Sequence, residues 1–148
     1  TANNIDSGTI SAKKYLWVQC FIESSGGATN AAVQFNGDTA NNYSERLSAN
    51  GGADSTATAA ASLSSFSTGA ADENGFLNFF VINNSANEKL CLGGNVSVST
   101  TGAGTAPDRR EGVGKWANTS AQITSINISE QSAGIYGAKT FLKVWGSD

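Results

Sequence analysis

The chain contains no histidine, and that absence removes much of the chemistry open to a small domain. Hydroxyl and thiol nucleophiles need a base to activate them, usually an imidazole, so Ser-His-Asp and Cys-His arrangements cannot be assembled here. Zinc ligation fails on the same ground, because the two cysteines, Cys20 and Cys91, stand far apart with no neighbouring ligand. Methionine is also missing and the chain begins at Thr1, which implies initiator removal or the cutting of a longer precursor. No signal peptide is expected from the composition of the first residues. No run approaches the ~20 apolar residues of a membrane helix. The richest, Phe76 to Ile82, is interrupted by Asn78, so no membrane partner is expected.

Charge is scarce. Only 14% of residues are Asp, Glu, Lys or Arg, while Gly, Ser, Thr, Asn and Ala are abundant. Helical domains carry more straight-chain residues, which lose little rotamer freedom in a helix, so this balance favours strands and turns. Nine basic against twelve acidic residues give a net charge of -3. Phosphate backbones require a clustered positive surface. The one basic concentration, Arg109, Arg110 and Lys115, is diluted by Asp108 and Glu111 and lacks interleaved aromatics. Nucleic acid is therefore not an expected partner.

What is present is aromatic and periodic. Three Trp, three Tyr and seven Phe are too many for a disordered chain. From Lys14 to Glu23, Leu16, Val18, Cys20 and Ile22 alternate with Tyr15, Trp17, Gln19 and Phe21, the period-two pattern of a strand. Both faces are largely apolar, which predicts core on one side and a neighbouring subunit on the other. Cys20 lies on the Leu16–Ile22 face and reads as a buried thiol, a disulfide to Cys91 being the alternative. Further strands are predicted at Ala31–Asn36, Asn42–Leu47 and Gly75–Ile82, with an edge strand around Ala57–Leu63, a single helical turn that sets Leu63 beside Phe66 being the alternative there. Lys89–Leu92 and Asn95–Ser99, split by Gly93-Gly94, read as a hairpin. Thr101 to Lys115 reads as a long glycine-rich loop, and Ala121–Ser129 and Lys139–Trp145 complete the set. About eight or nine strands with turn punctuation and no repeat predict an all-β antiparallel sandwich, jelly-roll-like, over residues 10–148, preceded by an arm or linker at 1–9.

Each chemical motif has a cheaper explanation. The carboxylates Glu23, Asp38, Glu45, Asp54, Asp72, Glu73, Glu88, Asp108, Glu111 and Glu130 fall mostly in turns or at strand ends, where solvated charge is the default over a glycosidase-like pair. No catalytic residue is assigned, and the chain reads as a non-enzyme. Asn36, Asp38 and Asn41, or Asp72 with Asn74, offer oxygen ligands for calcium, but Asx-turn capping accounts for them, so no metal or cofactor is expected. The sequons at Asn42, Asn83, Asn95, Asn118 and Asn127 are a by-product of a chain rich in Asn, Ser and Thr. Trp17, Trp116 and Trp145 suit core or subunit contact better than a sugar platform, with Trp116 beside the basic loop expected to be the most exposed.

Phe35-Asn36-Gly37-Asp38 with Asn42-Tyr43, Phe79-x-x-Ile82-Asn83, Trp116 leading to Ile123-Thr124-Ser125-Ile126, and terminal Val144-Trp145-Gly146 together resemble a module of tailed-bacteriophage virion proteins. The resemblance covers most of residues 14–146. It implies a jelly-roll sandwich located in the virion, acting as a capsid decoration, head-fibre or tail-associated protein through packing on copies of itself and on other virion proteins. Tyr15, Trp17, Phe21, Arg109, Arg110 and Trp116 are the candidate subunit-interface residues. A carbohydrate-binding sandwich, lectin-like or an adhesin tip with a surface glycan as ligand, is the alternative.

Overall fold

A computed structural model describes residues 3–26, 30–66, 74–98 and 100–148. Among these the chain forms strands and no helix. Seven strands make one antiparallel sheet: β2 (Tyr15–Ile22), β5 (Tyr43–Ala49), β6 (Ser55–Ala60), β7 (Asn74–Ile82), β8 (Lys89–Val98), β9 (Asp108–Trp116) and β12 (Phe141–Ser147), in the order β12-β2-β7-β8-β9-β5-β6. A second sheet places β10 (Ile126–Glu130) between β1 (Asn4–Asp6) and β4 (Ala31–Phe35). A short ribbon pairs β3 (Ser24–Gly26) with β11 (Ile135–Tyr136). The antiparallel β-sandwich expected from the alternation is the fold the chain adopts. The short strands β1, β3 and β11 raise the count above the eight or nine expected.

The core lies between the two larger sheets. Leu16, Val18, Cys20 and Ile22 of β2, Leu77, Phe79 and Val81 of β7 and Cys91 of β8 are buried in one cluster with Val33, Phe35, Ile126 and Ile128 of the smaller sheet. Each large aliphatic or Phe side chain so buried stabilises by about 1.5–3 kcal/mol. Leu63 and Phe66 enter the same core from the segment after β6. They fit because β9 carries glycine beneath them. A Cβ on Gly112 would stand 2.6 Å from the Ser65 Cβ, and one on Gly114 would stand 2.8 Å from Leu63 Cδ2. Glu45 fastens this segment from β5: its buried carboxylate accepts the Ser65 N–H at 2.7 Å and the Ser65 hydroxyl at 2.6 Å, and also takes the Ser64 hydroxyl.

Four expectations are corrected. The first nine residues are not wholly an arm, since Asn4–Asp6 pairs with Asn127–Ser129 as an edge strand. Gly93-Gly94 is not a hairpin turn; β8 runs straight through it. The reason is close backbone approach: a Cβ on Gly93 would collide with the Asn78 carbonyl oxygen, and one on Gly94 with that of Arg110. The supposed loop ends early, at β9, whose outward Arg109, Glu111, Val113 and Lys115 alternate with Arg110, Gly112 and Gly114, so that its composition mimics a loop. Trp116 is buried, not exposed. It shares the core side of β9 with Gly112 and Gly114, and its indole N–H donates to Asp38 Oδ2 at 2.7 Å. Cys20 and Cys91 are both free and buried, as the alternation of β2 indicated for Cys20. They sit opposite Leu77 and Val81 on either side of β7, too far apart to bridge.

The Asn36-Gly37 turn carries the chain from β4 in the small sheet to β5 in the large one. Both residues take positive φ, 53° and 66°, and the Asp38 N–H closes the turn onto the Phe35 carbonyl at 2.9 Å. Asn36 Oδ1 is occupied by the Thr124 N–H at 2.8 Å and the Ser125 N–H at 3.1 Å, so this side chain ties the turn to the strand-entry segment of β10. Open space surrounds Gly37, which leaves backbone strain as the whole cost of a larger residue. Gly37→Val is expected to lose about 1–2 kcal/mol in urea denaturation. Gly93→Ala should lose about 1–3 kcal/mol through overlap with β7, and an unchanged midpoint for it would contradict the close-approach explanation.

Candidate functional site

The outward face of the large sheet is where the chain departs from ordinary surface chemistry. Of the large hydrophobic side chains that are exposed among the described residues, every one but Ile135 projects from this face. Cross-strand register sorts them into rows. One row runs Trp145, Trp17, Phe80, Leu92, Val113, Arg46 and Thr56 across all seven strands from β12 to β6. Beside it runs Ser147, Tyr15, Ile82, Leu90, Lys115 and Ser44. On the other side comes a polar row, Lys143, Gln19, Asn78, Gly94, Glu111 and Ser48. A fourth row, Phe141, Phe21, Phe76, Val96 and Arg109, is again apolar at all but its last position.

The aromatics are concentrated at one end and pre-arranged. Trp17 stacks on Trp145 with ring centroids 4.8 Å apart and on Phe80 at 6.0 Å. Its indole N–H donates to Asn78 Oδ1 at 2.5 Å, and Phe21 stacks on Phe141 at 6.0 Å. The opposite end carries the cations Arg46, Lys115 and Arg109, which pair with Asp54 at 3.3 Å, Glu88 at 2.8 Å and Glu111 at 3.1 Å. All six of these side chains stay substantially exposed, so the pairs contribute little stability and their cations are available to a partner. Between the two ends lies a groove of about 590 Å³, lined by Tyr15, Phe80, Ile82, Leu90, Leu92 and Val113 with Arg46 and Lys115.

Four of the six candidate interface residues, Tyr15, Trp17, Phe21 and Arg109, come together on this face. Arg110 does not: it lies on the core side of β9, opposite Asn95, and is half-buried. Trp116 is in the core, packed against Phe35 with centroids 6.0 Å apart. Sequence reasoning missed Phe80, Leu92, Val113 and Trp145 as members of the same surface. The alternation of β7 and β12 held the signal, but which strands lie side by side could not be read from it.

No family model matches the chain, and no curated protein or solved structure matches it either.

Several titratable groups are committed to structure. Glu23 is held below the ordinary carboxylate range by the Lys139 backbone N–H and ammonium. Asn50 engages Asp108, while Glu130 takes the Asn30 and Ser132 N–H groups. Asp72 and Glu73 lie outside the described residues. Lys89 is fully buried; burial lowers its pKa, and its ammonium donates to the Asn87 and Asn118 carbonyls at 2.7 Å while lying 5.8 Å from the Trp116 ring centroid. Burial pushes the Asp38 carboxyl upward, but donors from Asn42, Trp116 and Ala40 outweigh it and hold the group below its usual value. A carboxyl depressed on folding stabilises above its unfolded pKa and loses that contribution as pH falls through its folded one. Asp38→Asn should therefore cost about 1–2 kcal/mol at pH 7, a difference that shrinks below about pH 4. Thermal melts across pH check this, and a pH-independent difference would contradict it.

Proposed function

We propose that the chain is a non-enzymatic assembly module, a structural component of a virus particle that works by packing the outward face of its large sheet against neighbouring protein. One observation carries the packing part: the exposed apolar side chains are gathered in register on a single face. Soluble monomers rarely leave a contiguous apolar patch larger than a few hundred Å² open to water. Six strand spacings by three row spacings give roughly 30 Å by 20 Å, or about 600 Å², for the whole face, and apolar side chains fill three of its four rows from β12 or β2 to β8, the polar row lying between them. Aromatics are enriched in it and carboxylates are few, the composition of an interface core. The placement in a virion rests on the resemblance of the Phe35–Asp38, Phe79–Asn83 and Val144–Gly146 motifs to phage modules. A capsid decoration or fibre protein needs area and shape complementarity more than a reactive site.

A second reading has one observation in its favour. Trp17 and Trp145 stand beside Asn78 on an open surface, an aromatic-amide pairing that suits a glycan. The Trp17 indole N–H is already satisfied by Asn78, however, and the row that continues from the rings is Phe80, Leu92 and Val113, which offer sugar hydroxyls nothing; the groove's Ser44, Arg46, Thr56 and Lys115 lie at its far side, away from the rings. Packing against protein fits better.

Replacing Phe80 and Leu92 together with Glu should abolish association with neighbouring subunits. Both side chains are about half exposed or more, at 50% and 59%, so the melting temperature should move by no more than a few degrees. Sedimentation velocity of wild type and variant reads this directly. A variant that still assembles like wild type would exclude the face from assembly, and saturable glycan binding that quenches Trp fluorescence would favour the second reading.

A further inference from the structure

The two ends of the outward face differ in kind, and that difference names the occupant. Counting from β8 at the centre of the seven-stranded sheet, β7, β2 and β12 present Phe80, Phe76, Trp17, Phe21, Trp145 and Phe141. On the other side, β9, β5 and β6 present Arg109, Lys115, Arg46 and Thr56 around Val113. One half is mainly aromatic, Lys143 apart, and the other carries three exposed, ion-paired cations with Glu111 among them. A cation placed over an aromatic face is attracted by the ring quadrupole, more so when both are desolvated.

We infer that a second copy of this chain packs face to face on the sheet, about a two-fold axis running along β8. The inference rests on the packing function proposed above and adds its partner and geometry. A two-fold contact must be self-complementary, each half of the patch meeting the other half in the partner. Rotation about β8 meets that requirement in three of the four rows; in the fourth, Ile82 lies over Lys115, which keeps its pair with Glu88. Leu92 meets its own copy on the axis, Phe80 lies over Val113, Trp17 over Arg46, and Phe76 over Arg109. In the polar row Asn78 lies over Glu111, so the amide N–H₂ gains a carboxylate acceptor and the row need not be buried unsatisfied. The side of the groove lined by Arg46, Thr56 and Val113 then faces the Trp17–Phe80 stack of the other copy.

A two-fold across the strands, set between the Phe80 and Asn78 rows so that all four rows are covered, is disfavoured by charge. It would set Lys115 of each copy over Arg109 of the other, like charge on like in a drying interface, and aromatic on aromatic with no cation between. Area is consistent with a stable pair. About 600 Å² from each copy totals roughly 1,200 Å², the lower bound for a specific interface. Face-to-face sheets in sandwiches pack about 10 Å apart with their strands within about 30° of each other, and a second copy on this axis keeps to both.

Cysteine crosslinking separates this geometry from assembly in general. The native thiols form a silent background: both are buried, Cys20 is pushed up to about 12, and burial raises Cys91 as well. Leu92→Cys and Trp145→Cys are made singly, each checked for an unchanged melting temperature, and treated with a short bis-maleimide at a concentration where wild type self-associates. The two sulfurs introduced at position 92 lie on the axis, within reach of each other. Two copies of position 145, at opposite edges of the stack, stand about 30 Å apart and cannot be joined. The expected result is a covalent dimer for Leu92→Cys in at least tenfold higher yield than for Trp145→Cys. Comparable yields, or a higher yield at 145, would overturn the two-fold along β8 while leaving the packing function standing. Wild type that stays monomeric at the highest attainable concentration would overturn this inference, and survival of the packing function would then require a different protein on the face.

Discussion

Everything in this molecule hangs on the register between β2 and β7 at the middle of the aromatic half. Side chains alternate across a strand, so a one-residue slip would send Leu16, Val18, Cys20 and Ile22 outward and bring Tyr15, Trp17, Gln19 and Phe21 into the core. In most sheets the hydrophobic pattern alone forbids that slip, because the outward face is polar. Here both faces are apolar, and other devices must pin the register. Shape supplies one: β7 is held in place by Gly93 of β8, which lies against its Asn78 carbonyl and Phe79, and by Phe66, whose ring stacks on Phe79 with centroids 4.6 Å apart. Polarity supplies another, since Gln19 and Asn78 face each other in the outward row and would be buried without water after a slip.

This two-sided character links fold to function. The inner face is sealed by the small sheet, by Trp116 and by the Glu45-tethered segment. The outer face has no such cover among the described residues. Its rows are ordered by the same register that builds the core, so the proposed interaction surface is as rigid as the fold itself. Stacking among Trp145, Trp17 and Phe80 holds the rings in place before any partner arrives, and pre-organised aromatics lose little entropy on binding.

Much of the fold was legible in the sequence, and the limits were physical. Period-two alternation gave β2, β7 and β12 because their side chains are large and contrast in chemistry with nothing but their flanks. It failed on β9, where the core side carries Arg110, Gly112 and Gly114 before Trp116 and three of the four outward residues are charged, so strand and loop share a composition. It failed at Gly93-Gly94, because a glycine pair permits either a turn or a close approach, and only the neighbouring backbones decide which. The candidate site was half legible. Tyr15, Trp17 and Phe21 could be placed on a second apolar face from β2 alone. Their neighbours Phe80, Leu92 and Val113 required the strand order, which is a property of the whole chain. Trp116 was misjudged because polar neighbours in sequence conceal a core-facing position whose anchor, Asp38, lies far away along the chain.

On the proposed function, the outward face of the large sheet is covered by protein in the assembly. Hydroxyl-radical footprinting, resolved by residue, tests it most directly, on dilute chain and on the concentrated or particle-bound form. Oxidation of Trp17, Trp145, Phe80 and Leu92 should fall several-fold on assembly, while Ile135, exposed elsewhere on the surface, keeps its dilute-state reactivity. Equal oxidation of the four in both states, with protection appearing on another surface, would contradict the account.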